Sequence, residues 1–157
     1  MNSVSLLRIL IWNCNDCSSF AADIDLELQR LQQLESAIAN VEVEIQQNPT
    51  LAPLLYESLA LKLHNFYTGC ERVFQLIATE FDGSLPSGFD WHKRLLDRMS
   101  HPREGRQSVV SIDTVQRLQE YLGFRHIVRN IYGFELDVTR LTRLVEGYPM
   151  VWNQTKQ

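Results

Sequence analysis

The sequence predicts an all-α chain, an up-and-down helical bundle of about four to six helices. Two long stretches carry apolar residues at steps of three and four, and Asn48-Pro49 separates them. No segment alternates polar and apolar residues as a half-buried strand does, and no repeat or linker divides the 157 residues. A composition of 45% hydrophobic and 22% charged residues is ordinary for a globular protein with one core.

The opening Ser5–Trp12 is apolar but short, and Arg8 interrupts it. It falls below the roughly 18 apolar residues of a membrane span and lacks the layout of a signal peptide. The expectation is therefore a cytoplasmic chain with no membrane partner. Residues 1–18 form an N-terminal extension to which the sequence assigns no order, residues 19–150 a single helical domain, and residues 151–157 a C-terminal tail. Cys14 and Cys17 have the spacing of a metal or redox pair, but no second pair completes a zinc site. With Cys70 as the third cysteine, the chain suits a reducing compartment, and no metal site is assigned.

The first helix is expected over about Phe20–Gln47. Phe20, Ile24, Leu28, Leu31, Leu34, Ile38, Val41 and Ile45 share its apolar stripe, and Asn48-Pro49 ends it. The second runs from about Ala52 to Phe81, with Leu55, Leu59, Leu63, Phe66, Cys70, Val73 or Phe74, Ile77 and Phe81 on one side. His64 lies among these residues and reads more readily as a satisfied core histidine than as a ligand. Asp82–Gly88 forms a loop. A third helix is expected over Phe89–Met99, with Asp90 near its start. Ser100–Ser111 reads as an exposed loop with Pro102, Gly105 and basic side chains. Asp113 is a plausible cap for a fourth helix carrying Val115, Leu118, Tyr121 and Leu122. Leu136-Asp137 leads a last short helix through Leu141, Leu144 and Val145, closed by Pro149.

Net charge is −4, which excludes a globally basic nucleic-acid binder, but the charge is uneven. Residues 91–107 hold Lys93, Arg94, Arg98, Arg103 and Arg106 against Asp97 and Glu104. A local positive field of that kind can gather phosphate, although for this segment alone a solvated surface is the favoured reading.

The densest chemistry lies between Gly123 and Gly133, where Arg125, His126, Arg129, Asn130 and Tyr132 fall within two helical turns or so. Continued as one helix, this stretch places Arg125, Arg129 and Tyr132 on one face, Tyr132 within about 20° of Arg125. His126 and Asn130 form an i,i+4 pair beside them. Such a stripe needs internal partners or an anionic ligand. In the internal alternative, Arg125 and Arg129 pair with Glu71, Glu120 or Glu135.

The order of arginine, a polar residue, three residues, a histidine position, one residue and tyrosine resembles the signature of HepT-like HEPN proteins. It is carried here by Arg125, His126, Asn130 and Tyr132. The stretch Leu63–Arg72, the pair of segments Leu85–Gly88 and Trp91-His92, and Phe124–His126 with Leu136-Asp137 extend the likeness over roughly residues 25 to 150. That family contains the toxin halves of toxin–antitoxin pairs. The resemblance implies a homodimer with a metal-independent endoribonuclease cleft at its interface, acting on RNA without a cofactor. It implies a minimal nucleotidyltransferase antitoxin as partner, which attaches AMP to the motif tyrosine, here Tyr132. Arg125 takes the phosphate-steadying place, and Asn130 occupies the place of the family's histidine.

An amide exchanges no proton near neutral pH, and losing a general acid or base lowers a rate by about 10²–10⁴. His126, one turn earlier, is the alternative proton carrier. Arg129, His92 and Arg94 are candidate RNA contacts. The other reading is a weakened or inactive module that binds RNA, nucleotide or the nucleotidyltransferase without turnover.

Overall fold

The computed structural model describes residues 17–156. Ser5–Trp12 and Cys14 lie outside them. Among the described residues there are five α-helices and two short 3₁₀ turns: α1 Cys17–Gln47, a turn Pro49–Leu51, α2 Ala52–Phe81, α3 Trp91–Met99, α4 Ile112–Val128, a turn Gly133–Glu135 and α5 Val138–Thr155.

The predicted apolar stripe of α1 is its buried side. Phe20, Ile24, Leu31 and Ile38 are buried, and Leu28, Leu34, Val41 and Ile45 pack against the same core. At about 1.5–3 kcal/mol for each large side chain taken from water, this seam holds α1 along the whole length of α2. Gly69 lets the two backbones approach, since a Cβ there would meet Leu31 Cδ2 at 2.7 Å.

Helix α2 occupies the centre and touches α1, α3, α4 and α5. Its bounds match the sequence prediction, and Leu59, Leu63, Phe66, Cys70, Val73, Phe74 and Ile77 are buried. Phe66 anchors an aromatic cluster, meeting Tyr121, Tyr148 and Trp152 edge to face with ring centroids 5.3, 4.9 and 6.2 Å away. Edge-to-face geometry suits rings whose faces are negative and edges positive.

Three local expectations are corrected. Pro149 does not close the last helix; it lies inside α5, which runs on to Thr155. An internal proline costs about 3 kcal/mol. Burial of Val151 and Trp152 beyond it offsets that cost, and Trp152 Nε1 donates to Glu35 Oε2 of α1 at 2.9 Å. The cap of α4 is Ser111, whose hydroxyl accepts from the Thr114 N–H, while Asp113 pairs with Arg117.

The Ser100–Ser111 loop is not wholly exposed either. Arg106 is buried and grips Asp82, with Nε to Oδ1 at 2.8 Å and Nη2 to Oδ2 at 3.0 Å. Arg98 and Arg103 also face that carboxylate, at 3.6 and 3.9 Å. Much of the basic character of residues 91–107 is therefore spent fastening the loop to the end of α2.

Candidate functional site

The site is assembled from one side of α2, the first turn of α3 and the last turn of α4. Helix α2 contributes His64, Tyr67 and Glu71, which share a face by i,i+3 and i,i+4 spacing. Helix α3 begins at Trp91 and sets His92 in its first turn, and α4 brings Arg125 and His126 to its C-terminal end.

Glu71 is the hub. Its carboxylate is nearly buried and accepts on both oxygens: Arg125 Nη1 donates to Oε1 at 2.9 Å, and His92 Nδ1 to Oε2 at 2.6 Å. An ionised carboxylate only accepts, so the His92 proton on Nδ1 points at Glu71 and Nε2 is left for another partner. The Arg125 guanidinium also lies over the Tyr67 ring, 5.8 Å from its centroid. Burial and the Glu71 charge push the Tyr67 phenol far above its usual range, so it stays protonated.

Two buried polar atoms in this cluster have no acceptor or donor: Nε of Arg125 and Nδ1 of His64. His64 is thus not the satisfied core histidine the sequence favours. Desolvation, then the charges of Arg125 and Arg129, hold its imidazole below the ordinary value of 6.5.

His126 is exposed at the surface edge of the cluster, its ring meeting that of His92 edge to face with centroids 5.5 Å apart. Trp91 lies against the other imidazole, with centroids of Trp91 and His92 3.7 Å apart. Partial burial, His92, Arg125 and Arg129 all lower the His126 pKa, and Glu71 alone works against them. At neutral pH its ring is therefore unprotonated and able to accept.

The polar stripe does not continue as one helix. Helix α4 ends at Val128 because Asn130 turns back on it: Nδ2 donates to the His126 carbonyl at 2.7 Å, and the Asn130 N–H closes onto Ile127 at 2.9 Å. Asparagine competes for backbone in this way and favours helix ends. Tyr132 is consequently extended (φ −77°, ψ 150°) and not beside Arg125 on a helical face. Its side chain is 71% exposed, and its N–H donates to Glu135 Oε2.

The structure thus gathers Arg125, His126 and His92 and sets Arg129 at the rim, exposed and with no carboxylate within 4 Å among the described residues. It leaves Asn130 and Tyr132 just outside. Arg94 stands on the solvent side of α3 in an i,i+4 pair with Asp90 at 3.0 Å. A pair of that kind holds by only about 0.3–0.5 kcal/mol, so it does not withhold Arg94 from a phosphate. The Glu71–Arg125 pair is the internal partnership weighed from the sequence. The role of Glu71 in also holding His92 had no sequence signal, because the two stand 21 positions apart on different helices.

A family model described as "HepT-like protein" matches residues 58–157. The chain belongs to the HepT-like family. Neither a curated protein nor a solved structure matches it. The match begins within α2 and runs through α5, and so includes every residue of the cluster around Glu71. Among the described residues no helix is long and apolar enough to cross a membrane, and no group of three or more His, Cys, Asp or Glu side chains is arranged to hold a metal ion. A groove between α1 and α2 is lined by Asp23, Glu27 and Arg72, and its acidic side chains do not suit a phosphate.

Proposed function

We propose that this HepT-like chain is an endoribonuclease toxin that cuts RNA at the His126–Arg125 cluster as a homodimer and is neutralised by a nucleotidyltransferase partner that attaches AMP to Tyr132. The observation that carries this reading is the buried guanidinium of Arg125, whose Nε has no acceptor. An unsatisfied buried donor costs about 1–3 kcal/mol, and a phosphate oxygen is the acceptor a guanidinium fits best. Arg129 adds a second cation at the rim. Beside them, His126 is exposed and in its proton-accepting form. High exposure of Tyr132 is what transfer to its hydroxyl requires. Leu54 and Leu61 of α2, 66% and 56% exposed, precede His64 on the same side and support a subunit contact next to the cluster.

The test is cleavage of single-stranded RNA in EDTA, with Arg129→Ala and Asn130→His run in parallel. Arg125→Ala leaves Glu71 buried beside a lost partner and destabilises the fold, so the exposed Arg129 is the cleaner probe of phosphate binding. Cutting by the wild type, weakened by Arg129→Ala, supports the toxin reading. Transfer of AMP by the partner enzyme should disappear in Tyr132→Phe.

One observation favours the second reading, a binding module without turnover: the amide of Asn130 is already engaged by the His126 carbonyl. If the wild type is silent and Asn130→His cuts, the cluster binds RNA and lacks only its proton carrier.

A further inference from the structure

We infer that His92 and His126 are the acid and the base of this site, with Glu71 as the residue that positions His92, so that the proton transfers an asparagine at position 130 cannot perform are carried by two imidazoles from different helices. This rests on the RNA-cleaving reading above.

The geometry is that of a prepared pair. Glu71 Oε2 holds His92 Nδ1 at 2.6 Å, and Trp91 covers one face of the ring, so rotation about its side-chain bonds is restrained from two directions. The outward Nε2 is then presented in a fixed place, as a carboxylate presents the far nitrogen of a histidine in hydrolases and metal sites. Glu71 is held in turn by Arg125 at 2.9 Å, which ties the orientation of His92 to the guanidinium that would meet the phosphate. The His126 ring stands 5.5 Å from that of His92 at an interplanar angle of 76°. Two nitrogens from such a pair can flank one phosphodiester, one toward the attacking oxygen and one toward the leaving oxygen.

The groups facing His126 are Arg125 and Arg129 on its own α4 and the following turn, His92 on α3 and Glu71 on α2. Their balance keeps it a base, while Glu71 fixes the orientation of His92 through Nδ1 and leaves Nε2 to face the substrate. Two nearby imidazoles in unlike surroundings take opposite roles.

The reaction balances without a co-reactant. His126 takes the proton from the ribose 2′-hydroxyl as O2′ bonds to phosphorus. The bond from phosphorus to O5′ breaks, and His92 gives its proton to O5′. The products are a 2′,3′-cyclic phosphate and a 5′-hydroxyl end, and exchange with solvent returns each imidazole to its starting form.

The experiment uses the full chain and two RNA oligonucleotides of one sequence, one ordinary and one with sulfur in place of the bridging 5′-oxygen. Thiolate leaves without being protonated. His92→Ala should lose about 10²–10³ in rate on ordinary RNA and return to within about tenfold of wild type on the sulfur substrate. His126→Ala should be slow on both.

A His92→Ala enzyme that cuts ordinary RNA at the wild-type rate, or whose defect persists with sulfur, overturns the acid assignment while the toxin reading stands. A wild type that cuts neither substrate overturns both.

Discussion

Replacing Asp82 by alanine is the sharpest test of how the basic segment is held. The carboxylate is fully buried and takes two bonds from Arg106, whose side chain is also fully buried. Without it, the guanidinium keeps only carbonyl partners, His101 and Gln107 at 3.1 Å and Arg98 at 3.4 Å. Removing one partner of a buried pair costs about 3–5 kcal/mol, because the other charge stays desolvated. The three carbonyls soften the loss, which places Asp82→Ala near 3 kcal/mol. For a chain of this size that lowers the melting temperature by roughly 6–12 °C. Urea unfolding followed by circular dichroism should show a lower midpoint with an unchanged slope. The double variant Asp82→Leu with Arg106→Met should recover much of the loss, since neither side chain then has a charge to desolvate. A loss below about 1 kcal/mol for Asp82→Ala would refute the view that this pair carries the loop.

Gly69→Ala should destabilise by about 1–3 kcal/mol, because the new methyl meets buried Leu31 at 2.7 Å and that side chain cannot swing away. Gly133→Ala should be near neutral although its Cβ would fall 2.5 Å from Glu57 Cδ, because Glu57 is an exposed side chain that can turn aside; urea midpoints of the two variants make the comparison. His64 has its pKa lowered by burial, Arg125 and Arg129, so below pH 6.5 the unfolded chain binds more protons than the folded one. Stability therefore falls as pH drops from 7 to 5, and His64→Gln should flatten that slope without abolishing it, because His126 shares the same direction of shift. Melting temperatures at both pH values test this, and an identical slope in the variant would contradict it.

Helix-forming periodicity was fully legible where burial alone decides structure. The residues that zip α1 to α2 are those of the apolar stripe, and the bounds Ala52–Phe81 follow from a proline-containing turn and a glycine-containing loop. Features set by single side chains were not legible. The end of α4 depends on Asn130 bonding to a carbonyl four residues back, which competes with a helical pattern that otherwise runs on to Tyr132. Persistence of α5 through Pro149 depends on what Trp152 finds on α1. Arg106 looks like any loop arginine until Asp82, 24 positions earlier, lies against it. The candidate site shows the same limit. Its residues on α4 stand out in sequence, and Glu71 and His92 each draw notice there, but that one carboxylate holds both Arg125 and His92 becomes visible only when three helices meet.

The stacking of Trp91 on His92 gives the molecule an optical gauge. An excited indole loses its light to an adjacent imidazolium, so the emission of Trp91 dims whenever the ring 3.7 Å away takes up a proton. Trp152, buried in the core and bonded to Glu35, supplies a steadier signal for reference. Proton occupancy of the His92 ring can thus be followed by native fluorescence, without a label or a ligand.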